Sequence, residues 1–123
     1  MNMPLAKSQE SPTVASGLDI LIQLYEGCIR FLQQASEACD DGRIDDFKDR
    51  LGRGQKIIEH FQGTLDYGQG GQVPTQLNDL YSFMLESLTQ SSLTHESDYI
   101  QRVVEQLEIL LEGWRGARPL VIS

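Results

Sequence analysis

The chain has 123 residues, enough for one globular domain and too few for a second hydrophobic core. Its 18 acidic and 10 basic side chains give a net charge of -8, and no basic cluster is dense enough to bind nucleic-acid phosphates. No apolar run approaches the roughly 20 residues of a membrane helix, and the first residues lack the apolar centre of a signal peptide. We therefore expect one cytoplasmic domain without nucleic acid or membrane insertion.

The first helical pattern follows Ser16, which has capping-box-like spacing to Asp19. This spacing predicts that helix one starts at Gly17 or Leu18 and runs to about residue 40. Gly42 then supplies a residue that readily adopts the left-handed conformation found where helices end.

Two cysteines, Cys28 and Cys39, fall on this helix, 11 residues apart in the sequence. They would lie roughly 16 Å apart along the helix axis, too far to form a disulfide with each other. We expect both to be small buried apolar residues that react slowly with thiol reagents.

The second helical pattern starts at Ile44 and repeats at alternating spacings of three and four. Its core stripe is Ile44, Phe47, Leu51, Gly54, Ile58, Phe61 and Leu65. Basic residues also concentrate on this segment, interleaved with acids, and this arrangement favours a solvated face with local ion pairs. A glycine-rich stretch over residues 67–72 predicts a loop.

The third helix is predicted to begin at Pro74 and to end near Ser91 or Ser92. Its predicted core positions are Leu77, Leu80, Met84 and Leu88. Tyr81 and Leu85 flank this stripe, and Phe83 points away from it.

The fourth helix is predicted to be capped by Ser97 or Asp98. Its predicted core positions are Ile100, Val103, Leu107, Leu110 and Trp114. Short connections make neighbouring helices antiparallel, so the sequence predicts an all-α, up-down-up-down four-helix bundle over residues 16–116. A flexible N-terminal arm over residues 1–15 and a C-terminal tail over residues 117–123 complete the predicted organisation.

Helix one is apolar over an arc wider than one core contact requires. Its predicted core stripe is Leu18, Leu21, Tyr25, Cys28, Leu32, Ala35 and Cys39. Ile20, Leu24, Gly27 and Phe31 lie beside this stripe and widen the apolar arc to roughly 220°. The arm or the tail of the same chain covers this second face, or the face binds a partner. The two interpretations are compatible, because an arm can occupy a groove until a partner displaces it.

The sequence contains no motif typical of an enzyme, a metal site or a cofactor site, and we expect none of these. Neither His60 nor His95 has a cysteine or a carboxylate nearby, on the same helix face, at the spacing typical of metal ligands. The enzymatic alternative is a histidine-phosphotransfer bundle with His60 as the phosphorylated residue, although Gln62 stands where such sites usually have a basic residue. A self-associating structural helical bundle is the second alternative.

The run from Ala15 to Leu32, ASGLDILIQLYEGCIRFL, resembles the opening signature of the FliS flagellar secretion chaperones. The segments Thr64–Asp66, Gly70–Gly71 and Leu77–Met84 resemble the second signature of that family. Helix four, with Leu107, Leu110 and Trp114, resembles its closing helix. Gly17 replaces a proline that is common in the family, and residues 1–14 lack the aromatic residue that family members often carry in the arm.

The resemblance implies a cytoplasmic chaperone that binds the disordered C-terminal segment of flagellin, blocks premature polymerisation and passes the subunit to the flagellar export gate. It implies no enzymatic activity and no cofactor, and it leaves open a homodimer when the chaperone is free. The candidate flagellin-binding residues are Ile20, Leu24, Tyr25, Phe31, Leu77, Tyr81, Phe83 and Leu85.

Overall fold

The computed structural model describes residues 13–68 and 70–117, with side chains from residue 17 onward. It contains four helices: α1 (Thr13–Asp40), α2 (Ile44–Gly63), α3 (Val73–Thr94) and α4 (Asp98–Gly116). The described residues include no strand, so the all-α prediction is confirmed. None of these helices is long and apolar enough to cross a membrane.

The four helices pack around a square: α1 contacts α2 and α4, and α3 contacts the same two helices. Helices α1 and α3 are therefore diagonal to each other, as are α2 and α4. One end of the bundle carries the short connections 41–43 and 95–97, and we call it the short-loop end. The opposite end carries residues 64–72 and the outer ends of α1 and α4, and we call it the long-loop end.

Three of the predicted helix boundaries need correction. Helix α1 begins at Thr13, so Ser16 lies inside the helix instead of capping it, and the predicted arm loses Thr13–Ala15. The residue before Thr13 in the sequence is Pro12, and no helix breaker lies between Pro12 and the predicted start. Helix α3 starts one residue before Pro74 and continues to Thr94, where His95 adopts a left-handed conformation with φ 57°. The rest of the predicted arm and tail, residues 1–12 and 118–123, lies outside the described residues.

Ser97 precedes α4 as predicted, but its side chain does not cap the helix. Its hydroxyl instead donates a hydrogen bond of 2.7 Å to an Asp40 carboxylate oxygen. At the same end, the Cys39 thiol donates to the His95 carbonyl and the Ser91 hydroxyl donates to the Glu96 carbonyl. Side chains of α1 and α3 thus hold the 95–97 connection in place at this end.

Helix α2 follows its predicted core stripe most closely, and its buried residues are Phe47, Leu51, Gly54, Ile58 and Phe61. The predicted positions Ile44 and Leu65 are only partly buried, and Leu65 lies beyond the end of the helix. Gly54 is required by close helix packing, because a Cβ at this position would lie 2.9 Å from the Leu32 Cγ of α1. The Gly54 carbonyl also accepts a hydrogen bond from the Cys28 thiol. The left-handed Gly42, with φ 75°, ends the turn before α2 as predicted.

The predicted core stripes of the other helices were correct in part. Leu18, Leu21 and Cys39 of α1 are only partly buried, as are Leu77 and Leu80 of α3 and Leu110 and Trp114 of α4. The buried hydrophobic core residues that the prediction did not place in a core stripe are Ile22, Ile29 and Ala38 of α1, Tyr81 of α3, and Val104 and Leu111 of α4. In a square bundle each helix has two neighbours, so its buried arc is wider than one stripe and extends toward both.

Candidate partner-binding surface

An apolar stripe runs along the outside of α1 at helical spacing. We call it the helix-1 stripe, and it consists of Ile20, Leu24, Gly27 and Phe31. Ile20 is 56% exposed, whereas the other three residues are half-buried. A Cβ at Gly27 would meet no atom within 4 Å, so the stripe has open space at its middle. Such a surface can accept the apolar side chains of a partner.

The helix-1 stripe borders α2. Leu24 packs partly against the core of the bundle. Further along, the guanidinium of Arg53 on α2 lies over the Phe31 ring, 5.7 Å from its centroid. This cation–π contact orients Phe31 and leaves a positive charge at that edge of the stripe. The surface therefore offers apolar contacts along α1 and a cationic border at α2.

Two of the predicted contact residues, Tyr25 and Tyr81, lie in the core and cannot touch a partner in this structure. Tyr25 is fully buried and Tyr81 is 2% exposed. Their hydroxyl groups hydrogen-bond to each other across the bundle. Burial raises the pKa of both phenols. Tyr81 was predicted to flank the core stripe of α3, and this placement was wrong. The buried face of the helix runs through Tyr81, Met84 and Leu88.

The tyrosine pair belongs to an aromatic cluster beneath the long-loop end. The Tyr25 ring stacks on Phe61 of α2 with centroids 4.4 Å apart. It also meets Trp114 of α4 edge-on, with centroids 6.2 Å apart. Tyr81 lies tilted against Phe61 at 5.6 Å. The cluster contains one aromatic residue from each of the four helices and packs them together at this end of the core.

The remaining candidates on α3 do lie at the surface. Phe83 is 53% exposed, so its predicted outward direction is confirmed, and Leu77 and Leu85 are half-buried. Because α1 and α3 are diagonal, these residues cannot form one continuous groove with the helix-1 stripe. The structure therefore divides the candidate residues between two surfaces.

Leu77 lines a second apolar depression, between α3 and α4, which we call the helix-3/4 groove. Its volume is about 320 Å³, and its lining is Val73, Leu77, Ile109, Leu110, Gly113, Trp114 and Ala117. Sequence reasoning did not single out Val73 and Ile109, which are 53% and 71% exposed. Ile109 is an apolar residue off the predicted core stripe of α4, and that mismatch was the available signal.

The charged side chains form the local ion pairs that the sequence favours. On α2, Asp49 accepts hydrogen bonds from Arg50 and Arg53, and Arg43 bonds Asp41 and Asp46 at the preceding turn. All of these groups are well exposed, so each pair contributes at most about 1 kcal/mol. His60 is exposed, as predicted.

Comparison with known proteins identifies the family to which this fold belongs. Residues 2–121 match the family model described as flagellar protein FliS. The chain belongs to the FliS family. A FliS relative from Campylobacter jejuni, named as a flagellar secretion chaperone, is 32% identical over 89% of this chain and 86% of its own length. The Salmonella typhimurium flagellar secretion chaperone FliS is 27% identical over 91% of this chain and 84% of its own length.

The fold itself is shared with a solved structure of a bacterial flagellar chaperone. That chain superposes with a TM-score of 0.76 and 24% identity, and the match covers 82% of each chain. The FliS assignment thus agrees with the four-helix architecture.

Proposed function

We propose that this FliS-family protein is a cytoplasmic export chaperone that binds the disordered C-terminal segment of flagellin. In this role it prevents premature polymerisation of flagellin and supports delivery of the subunit to the flagellar export apparatus. The names of the FliS relatives as flagellar secretion chaperones support the export role. No enzymatic step and no cofactor is part of the proposal.

The observation that carries the proposal is the helix-1 stripe. Ile20, Leu24 and Phe31 share one side of α1, and Gly27 leaves space between them. An amphipathic segment can fold into a helix as it places its apolar residues in such a depression. The ordering of the segment costs part of the interaction energy, which suits a cargo that must be released later.

The division of the candidates between two surfaces bears on how the cargo would lie. A single short helix could cover the helix-1 stripe but could not also reach Leu77 or Phe83, because α2 and α4 separate α1 from α3. We therefore propose that the flagellin segment is extended and wraps around one side of the bundle. Tyr25 and Tyr81 would support this surface from below.

The test is calorimetric titration of the full chain with a peptide of the C-terminal segment of its cognate flagellin. Ile20→Asp should weaken binding at least about tenfold, since the peptide would bury an unpaired charge. Ile20 is already half-exposed, so the melting temperature should change little. Leu93→Asp is the matched control, because Leu93 is 72% exposed near the end of α3 and outside both surfaces.

Ile20 is a sharper test position than its half-buried neighbours. Leu24→Asp should weaken binding by roughly 10² to 10³, but Leu24 also packs against the core. Leu21, predicted to be fully buried, is half-buried in the same way, so melting curves would not separate the two variants. Wild-type affinity in Ile20→Asp would show that the flagellin segment binds elsewhere.

Self-association is the alternative, since the same apolar surfaces could pair two copies of the chain. Sedimentation with and without the flagellin peptide separates the two functions. A chaperone gives a complex of one chain with one peptide, whereas a purely structural homodimer keeps its mass when the peptide is added.

A further inference from the structure

The helix-3/4 groove is an apolar surface left open at the long-loop end. Its volume is about 320 Å³. Val73 and Ile109 stand on its two sides and are among the most exposed large apolar residues described. Exposed apolar surface of this kind is stabilised when other apolar side chains cover it.

The sequence after α4 provides side chains of the required type. Helix α4 ends at Gly116, and the following Ala117 lines the groove. Next come Arg118 and Pro119, then the apolar run 120–122. Proline cannot continue a helix, and it disfavours helical geometry in the residue before it. The sequence therefore predicts that the chain leaves the axis of α4 beside the groove.

We propose that Leu120, Val121 and Ile122 fold back along α4 and occupy the helix-3/4 groove. The lengths agree: Ala117 and Ile109 are eight residues apart in the sequence, and in a helix this separation spans roughly 12 Å. An extended chain of three to five residues, the separation of the apolar run from Ala117, reaches roughly 10 to 18 Å. The apolar run thus reaches the full length of the groove.

Charge favours this segment over a second copy of the chain. Glu105, Glu108 and Glu112 surround Ile109 and form an acidic rim on α4. Residues 118–123 carry one cation, Arg118, and no acidic side chain. A second chain with a net charge of -8 would have to approach the same acidic rim. The one charged side chain of residues 118–123 is a cation, so this rim would repel the segment less than it would repel a second chain.

The inference does not rest on the proposed function, although Leu77 belongs to both surfaces. If a flagellin segment reaches Leu77, it must displace the tail from the groove.

Trp114 reports directly on the groove, because it is the single tryptophan of the sequence and lines the groove wall. In the full chain without cargo, Leu120→Asp combined with Ile122→Asp should shift the Trp114 emission to longer wavelength and increase its quenching by acrylamide. Ser123→Asp is the matched control in the same segment and should leave both unchanged. Far-ultraviolet circular dichroism checks that helix content is retained.

The groove itself provides the second arm of the test. Ile109→Asp alone should reproduce the emission shift, and adding the tail substitutions to it should have no further effect. Unchanged Trp114 emission and quenching in the tail variant would overturn the proposal.

A cysteine pair distinguishes the tail from a second chain. In a Cys39→Ser background, Ile109→Cys with Val121→Cys should form a disulfide within one chain on mild oxidation, independently of protein concentration. A disulfide that links two chains and grows with protein concentration would show that a second copy fills the groove, and would overturn the proposal.

Discussion

The two ends of the bundle are built differently. At the short-loop end, side chains and backbone close the structure: Ser97 bonds Asp40, Cys39 bonds the His95 carbonyl, and small residues such as Ala38 and Ser91 are buried. The long-loop end has large aromatic residues inside and exposed apolar residues outside, among them Ile20, Val73 and Ile109. The short-loop end is closed by hydrogen bonds and exposes Leu93, whereas the long-loop end leaves several apolar residues open to a partner or to the chain's own tail.

The largest effect that would test this comparison is on stability. Phe47 is fully buried at the short-loop end and contacts the His95 ring edge-on, whereas Phe83 is 53% exposed. Phe47→Ala should lower the free energy of unfolding by about 3 to 5 kcal/mol. Phe83→Ala, with the same chemistry, should change it by no more than about 0.5 kcal/mol.

Urea unfolding followed by circular dichroism measures both variants. A large loss of stability in Phe83→Ala would mean that this side chain is part of the core. A small loss in Phe47→Ala would contradict the close packing of the short-loop end.

A smaller effect concerns the tyrosine pair beneath the long-loop end. Tyr25→Phe leaves the buried Tyr81 hydroxyl without its partner and should cost about 1 to 3 kcal/mol. The double variant with Tyr81→Phe should recover part of this loss, because no unpaired hydroxyl remains. Urea unfolding of the single and double variants tests this coupling, and additive losses would contradict it.

The same pair predicts a pH dependence at alkaline pH. Burial raises the pKa of Tyr25 and Tyr81 above the value of about 10 for an unfolded phenol. The folded state therefore keeps its full stability below pH 10 and loses stability as the pH rises above it, where the unfolded chain releases these protons more readily. Replacement of both tyrosines by phenylalanine should make stability less sensitive to pH in that range.

The smallest effect concerns the rates at which the two cysteines react with thiol reagents in the unmutated protein. Burial raises the pKa of the Cys28 thiol to about 12, so roughly one in ten thousand of these groups is ionised at pH 8. Cys39 is only partly buried, so the expectation that both cysteines are buried needs correction, and we expect Cys39 to react faster than Cys28 although its pKa is also raised. Native protein should therefore label faster at Cys39 than at Cys28, as measured by mass spectrometry.

In denaturant, both cysteines should react rapidly with the thiol reagent. Slow labelling of Cys39 in the native state would show that the short-loop end protects it more than its exposure indicates, whereas fast labelling of Cys28 would contradict its burial between α1 and α2.

The sequence alone determined the number and type of elements and the family. Local chemistry marks these features: Gly42 with a left-handed φ, the glycine-rich loop before Pro74, and the regular repeat of α2. The outward direction of Phe83 also followed from spacing alone. These predictions succeeded because they depend on residues close together in the chain.

Only the tertiary structure decided which apolar side chains of each helix are buried by the neighbouring helices. Helical spacing gives the direction of a side chain around its own axis, but burial depends on where the neighbouring helices stand. Ile22 and Ile29 are buried and Tyr25 meets Tyr81 because α1 lies between α2 and α4 and diagonal to α3. The same arrangement split the candidate residues between two surfaces, since contacts between residues 56 positions apart leave no mark in a helical repeat.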